Sequence, residues 1–424
     1  MQALKTGSDI GYSHKRFELP NILLFLISLW VLDVFLMDFS VHTRVDNADD
    51  AAAFYASGGI GNQVFWLVSF LVSVWLTVSY KVITTAAILH NWALILLIGI
   101  GVASCVWSAS PWDSFRRIIL QIFVAYSLFA VIFLMPSPRA IFNTIYLAFW
   151  LVLSLDLIFL WLNGPQLDIG FPGIHGNKNT LGFVAASAVF LGIGLIEKQQ
   201  TNFLKYIFIV FWLILLFISQ SKTSIALCFV AILAYGLMLN INKLLPAKLT
   251  ATLLVGMFFI IIGWLLYAIG LDDLNLNSLL DALDDGTLTG RAKLWKFAID
   301  FQFENGVLGY GYGAFWGTGN SPNVIYGDDF IQYIIQGHNG YLDIILQFGY
   351  LGYVILAGIL CFSGVVLIRS GNWGDCNFIL FCFCLLFILH NLTETSMFRS
   401  THFLWLIMLI VYFIYTRDRM WKKI

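Results

Sequence analysis

Charge is what this sequence has least of. Only 11% of its 424 residues are Asp, Glu, Lys or Arg, where a soluble domain carries about 25%. With 60% hydrophobic residues and a mean hydropathy of +0.85, that scarcity excludes an ordinary soluble globule. Weak, alternating segments of roughly ten residues are also missing, which argues against a transmembrane β-barrel. No fixed-period repeat and no low-complexity tract occurs. The polar stretch Met1 to Pro20 is not followed by a short apolar run with a small-residue cleavage site, so no removed signal peptide is expected. The net charge of −1 says nothing about partners, and nucleic acid is not expected among them. Five of the six cysteines fall in apolar runs and Cys376 in a short loop expected on the inner side; none lies in a loop expected on the outer side, so no disulfide framework is expected. Cys382 and Cys384 read as two core thiols of one helix, too close for a zinc pair.

What remains is hydrocarbon in long runs. About twelve apolar runs approach the ~20 residues that cross a bilayer as a helix: 21–39, 62–80, 91–107, 116–134, 141–162, 179–196, 203–219, 224–240, 249–270, 340–368, 377–392 and 401–416. The expected fold is all-α, a polytopic integral membrane protein forming one membrane domain over residues 1–424. Lys and Arg set the orientation. With the N-terminus in the cytoplasm, 14 of the 23 cations fall inside and 9 outside, 3 of those 9 in one long loop. Both termini are then cytoplasmic.

That long loop, residues 271–338 between the ninth and tenth runs, is expected outside and is expected to carry part of an active site. Arg291 opens an amphipathic stretch in which Lys293, Lys296 and Asp300 share one face. Arg291 lies roughly opposite them, with Trp295 and Ala298. A buried guanidinium needs a partner, and its fork matches phosphate. His338, beside Asn339 and Tyr341, offers an imidazole for proton abstraction. Glu394 is an acid close to the membrane, whose simplest job is to pair an outer cation. Lys222 sits in the turn Ser219-Gln220-Ser221-Lys222-Thr223, and Lys178 in His175-Gly176-Asn177-Lys178-Asn179-Thr180. Both stand at helix starts suited to anions, with Asn179 or Thr180 a candidate cap. Arg116 and Arg117 share another outer mouth, one expected to face headgroups and the other the protein. Asp33 and Asp156 fall inside apolar runs and are expected to face protein.

Other patterns fail. Gly309-Tyr310-Gly311-Tyr312-Gly313 follows no strand and reads as a flexible aromatic loop rather than a dinucleotide loop. Asp281, Asp284 and Asp285 lack the rest of an EF-hand loop, so no metal site is expected.

Taken together, these residues resemble the superfamily of O-antigen ligases and bacterial polysaccharide polymerases over roughly residues 100 to 400. The resemblance rests on Trp107-Ser108 with Pro111, His175 to Asn179, Ser219 to Thr223, Thr289-Gly290-Arg291 with Trp295, Leu308 to Gly311 with Phe315, His338-Asn339-Gly340-Tyr341 with Gly349 and Gly352, and Glu394. Gly290-Arg291 and Gly311 to Trp316 look most like the exopolysaccharide production polymerases. One departure is Lys222, where the superfamily usually has arginine; lysine keeps the charge and loses the fork.

The resemblance implies a glycosyltransferase of a bacterial inner membrane whose site faces the periplasm. Its donor would be a glycan on a polyprenyl pyrophosphate, its acceptor a sugar hydroxyl, and its reaction a metal-independent, inverting displacement without cofactor. His338 and Arg291 would be catalytic. Arg291, Lys222, Arg116, Arg117 and Lys178 would bind pyrophosphate, with Glu394, Asn339, Tyr341 and Trp295 in support. Trp295, Tyr310, Tyr312, Phe315 and Trp316 are candidates to stack on sugar rings. Membrane lipid is a partner in any case, and a chain-length regulator is a candidate one. The alternatives are a ligase with lipid A core as acceptor and a transporter or flippase of lipid-linked sugars. Transporters usually place a polar site near the midplane; here the polar cluster is at one face.

Overall fold

The computed structural model describes residues 18–35, 60–82, 84–165, 168, 170–196, 202–244, 246, 249, 256, 291–304, 306–328, 330–369 and 376–421. Among them all regular structure is helical. The α-helices in order are α1 (Glu18–Val31), α2 (Ile60–Ser79), α3 (Thr85–His90), α4 (Trp92–Ser104), α5 (Pro111–Leu134), α6 (Pro138–Asn163), α7 (Lys178–Gly194) and α8 (Phe203–Ile218). They continue with α9 (Lys222–Leu244), α10 (Arg291–Glu304), α11 (Pro322–Tyr326), α12 (Gly340–Phe348), α13 (Tyr350–Arg369), α14 (Asn377–His390) and α15 (Phe403–Trp421).

Of these, α2, α5, α6, α9 and α13 are long and apolar enough to cross a membrane, and α1, α4, α7, α8 and α14 are shorter apolar helices. The run 249–270 lies almost wholly outside the described residues. The run 340–368, read as one span, is two helices. Gly349 adopts φ +57° at the end of α12, and its amide closes the helix on Ile345 O at 2.7 Å. A Cβ there would meet the backbone of Gly306 and Val307 within 2.6 Å, so only glycine fits the break.

α7 forms the middle of the bundle. Leu181 through Gly192 are buried without interruption, the mark of a helix apolar all round. Gly182 lets Ser221, just before the neighbouring α9, and Ser224 within it approach its backbone, and Gly194 admits Ile379 of α14. Small residues allow such close packing where lipid offers no hydrophobic drive between helices. Apolar side chains on the periphery, such as Leu71 and Trp75 of α2 and Leu233 and Leu237 of α9, are exposed, as a hydrocarbon-facing surface requires.

Residues 291–304, 306–328 and 330–338 form a folded layer over one end of the bundle. Leu294, Ala298, Phe315, Trp316, Ile331 and Leu346 make a second hydrophobic cluster there, with Phe297, Phe301 and Tyr310 around it. The Gly309–Gly313 stretch is a packed strap, not the flexible loop expected. Gly311 at φ +89° presses on Ser108, and Gly313 at φ +65° on the stem of Arg117. Trp107 Nε1 donates to Leu308 O at 2.9 Å, and Ala109 N to Tyr310 O at 2.9 Å. The Trp107–Pro111 turn is thereby stitched to the layer.

Candidate active site

His338, Arg291 and Glu394 meet at the end of the bundle under that layer. Glu394 follows α14, His338 precedes α12, and Arg291 is the first residue of α10. One carboxylate oxygen of Glu394 accepts from Arg291 Nη2 at 2.6 Å, and the other lies 2.7 Å from His338 Nδ1. Asn179 Nδ2 donates to the first oxygen at 3.3 Å. The three ionic side chains retain 17%, 11% and 28% exposure for Arg291, Glu394 and His338. Burial opposes the charge on Glu394. The hydrogen bond from His338 and the charges of His338 and Arg291 outweigh it and hold the carboxyl below its usual range.

His338 is held in the left-handed region at φ +48°, which costs a non-glycine residue on the order of 1 kcal/mol. Its neighbours enforce the geometry. Trp295 Nε1 donates to Gly337 O at 2.9 Å. Asn339 Oδ1 caps α12, accepting from the amides of Tyr341 and Leu342 at 3.1 Å each. Gly340 N donates to Asn391 O at 2.9 Å and Glu394 O at 3.2 Å. Asp343, missed by the sequence reading, ties both halves together: its carboxylate accepts from Gly337 N at 3.2 Å, Trp316 Nε1 at 2.8 Å and Thr395 Oγ1 at 2.6 Å. An acid in a helix first turn carries too ordinary a signal to single out. Arg399 donates to Gln336, whose amide nitrogen lies 3.5 Å from His338 Nδ1.

The remaining expected site residues divide. Lys178 and Lys222 are the exposed first residues of α7 and α9, and neither has a carboxylate partner among the described residues. Gly170 lies between them: a Cβ there would meet the Lys178 stem at 2.8 Å and the Ser219–Gln220 turn before Lys222 at 2.5 Å. Asn177, not Asn179 or Thr180, caps α7, accepting from Asn179 N at 2.8 Å; this frees Asn179 to reach Glu394. Arg117 points inward and donates to Gly313 O. Arg116 is 46% exposed and lies 3.8 Å from Asp113, so it is the member of the pair that faces away. Tyr341 turns into the bundle, donating to Ile388 O at 2.9 Å. Tyr312, Phe315 and Trp316 are at most 7% exposed. Phe315 and Trp316 belong to the core of the outer layer and Tyr312 to the bundle core, and none has a free ring face for a sugar; Trp295 and Tyr310 are half-buried.

Lys178 and Lys222 each occupy the first position of a helix, and Arg291 is the first described residue of α10. Cations there oppose the helix dipole, whose positive end favours anions. Arg117 and Arg399 lie within electrostatic reach of each other, with Asp113 facing Arg117 and Asp343 facing Arg399.

Two comparisons bear on this arrangement. Residues 207–357 match a family model described as O-antigen ligase, a range that includes Lys222, Arg291 and His338. The exopolysaccharide production protein ExoQ of Rhizobium meliloti (strain 1021) is 26% identical over 230 residues, 50% of this chain and 50% of ExoQ. The chain thus matches about half the length of that curated relative. The similarity of this membrane protein to the superfamily of O-antigen ligases and bacterial polysaccharide polymerases, carried by its motifs, stands on both matches.

Proposed function

We propose that this chain is an inner-membrane glycosyltransferase that joins polyprenyl-pyrophosphate-linked oligosaccharide repeat units into a surface polysaccharide: O-antigen, capsule or exopolysaccharide. The observation that carries the reading is the pair of contacts on Glu394, His338 Nδ1 on one oxygen and Arg291 on the other. With Nδ1–H donated to the carboxylate, Nε2 holds the lone pair and acts as base. The acceptor hydroxyl gives its proton to Nε2 while its oxygen bonds to the anomeric carbon. The bond from that carbon to the pyrophosphate oxygen breaks, and its electron pair leaves with the lipid pyrophosphate. Configuration inverts. The remaining N–H groups of Arg291, with Lys222, Lys178 and Arg117, stabilise the charge growing on the leaving group. Arg116 drops out of that set. The Lys and Arg bias supports cytoplasmic termini and a periplasmic site.

The ligase reading, favoured by the description of the matching family model, uses the same residues with lipid A core as acceptor. The test is purified protein in detergent, given short lipid-pyrophosphate-linked repeat units in EDTA and read as a ladder of glycan sizes. A ladder lost in His338→Ala supports the polymerase; a ladder unchanged in that variant sinks the site assignment. Transfer that needs lipid A core supports the ligase, and no transfer in either assay points to a transporter.

A further inference from the structure

A second ionic cluster lies beside this site. His175, at the end of the 3-10 turn Gly173–His175, has no exposed side-chain surface. Its Nδ1 is 3.2 Å from Asp33 Oδ2, just beyond α1, and its Nε2 is 3.7 Å from Asp156 Oδ2 in α6. Asp156 is fully buried, and its other oxygen accepts from Ile174 N at 2.9 Å. Neither His175 Nε2 nor Asp156 Oδ2 has a hydrogen-bond partner among the described residues. A buried carboxylate in that state needs an opposite charge across from it. The backbone is shaped around the acid: Gly173 sits at φ +61°, where a Cβ would overlap Asp156 Oδ1. Asp33 itself takes φ +62°.

The turn leads directly into the site. Two residues beyond His175, Asn177 caps α7; Lys178 and Asn179 follow, and Asn179 reaches Glu394. On the other side of the turn, Phe171 N donates to Ile218 O at 3.0 Å, and Gly170 packs on the turn before Lys222. One short segment, residues 170–179, therefore touches both lysine-bearing helix starts and the Glu394 carboxylate.

We propose that His175 is a positioning residue: as an imidazolium clamped between Asp33 and Asp156, it fixes the 170–179 segment so that Lys178 and Lys222 present their charges to the pyrophosphate of the donor. The pyrophosphate part rests on the proposed function; the clamp does not. Burial of His175 favours the neutral ring, but attraction to Asp156 and then Asp33 outweighs it and pushes the pKa up to about 9. Asp33 from the end of α1 and Asp156 from α6 are the charged groups that face the imidazole. The clamp is thus closed at neutral pH and opens in alkali.

The test reads two signals in the full-length protein: amide hydrogen exchange of residues 170–179, and binding of a polyprenyl pyrophosphate without sugar, across pH 6.5 to 10. Wild type is expected to keep both constant until the pH passes about 9, then to lose protection and roughly tenfold in affinity. His175→Gln is expected to show the loosened state at every pH, and His175→Lys, which keeps the charge, to recover binding. Should His175→Gln fail to fold, Asp33→Asn, whose side chain is 30% exposed, is expected to move the transition to lower pH. Unchanged exchange in a folded His175→Gln protein overturns the clamp. Loosened exchange with unchanged binding overturns the positioning role. Loosened exchange in a protein whose wild type binds no polyprenyl pyrophosphate leaves the clamp standing and removes the proposed function instead.

Discussion

The two ends of the bundle use cations in opposite ways. At the end away from the site, Arg417 of α15 is buried and donates to Ile132 O at 2.7 Å and Met135 O at 2.9 Å, where α5 terminates. Lys205 and Arg139 both donate to Leu195 O, where α7 terminates. These are cations at helix C-termini, where the dipole and the unpaired carbonyls both favour them. At the site end, Lys178 and Lys222 stand at helix N-termini, where the dipole disfavours them. A cation that caps a carbonyl is explained by the fold alone. One at a helix start that reaches no such carbonyl asks for an anion. Arg139 and Lys205 also lie in the first turns of their own helices, α6 and α8, so what separates architecture from chemistry is whether the side chain reaches a helix-ending carbonyl.

The comparison breaks most sharply at His338. His338→Ala is expected to reduce glycan transfer by about 10³-fold or more, and Arg291→Ala by about 10²-fold, both with an intact fold. Arg417→Met is expected to do the reverse, lowering stability by about 2 kcal/mol through two unpaired carbonyls while folded protein keeps its turnover. The measurements are glycan ladders beside thermal melts in detergent. An Arg417→Met protein that melts like wild type yet transfers no glycan would end the distinction between the two ends.

A smaller effect is expected at Glu394, which sharpens the account of what orders the site. Glu394→Gln keeps the shape and removes the charge that fixes the His338 tautomer, so turnover is expected to fall by about 10²-fold. The same variant tests the electrostatics. The Glu394 pKa is depressed in the folded protein, so its contribution to stability is full above the ordinary carboxylate value and is lost as pH falls through the folded one. Wild type is therefore expected to lose stability below about pH 4.5 more steeply than Glu394→Gln, as read by melts across pH 3 to 6.

The polar end of the molecule was legible in the sequence because cations are rare in it. With so few charges, each one at an apolar run's mouth stands out, and Arg291, His338 and Glu394 could each be singled out without knowing that they touch. The helices were legible for the same reason: ten of the apolar runs each correspond to one described helix, and an eleventh, 340–368, to two. What could not be read depends on packing. The break at Gly349 is set by the backbone of Gly306 and Val307 from a distant segment. Tyr312, Phe315 and Trp316 were candidates to stack on sugars, and only the packing shows that they fill cores instead. Asp343 acts through partners remote in sequence, and nothing local marks it; His175 stood out in its motif, but its partners Asp33 and Asp156 come from distant segments.

The smallest effects expected are at the lysines and at Arg116, and they test whether helix position alone decides. Lys222→Arg keeps the charge and adds a fork that can grip two phosphate oxygens. It is expected to lower the donor KM two- to threefold with little change in kcat, whereas Lys222→Met raises that KM about tenfold. Arg116→Ala removes an exposed cation already beside Asp113. It is expected to change KM less than twofold and stability by less than about 0.5 kcal/mol. Arg116 belongs to the same helix start as Arg117, so a rule based only on position would give them equal weight. Direction of the side chain must then decide between them: Arg117 reaches inward to Gly313, and Arg116 does not. A tenfold rise in donor KM on losing Arg116 would mean that the pyrophosphate lies at the rim of the bundle, with the exposed face of α5 forming part of its seat.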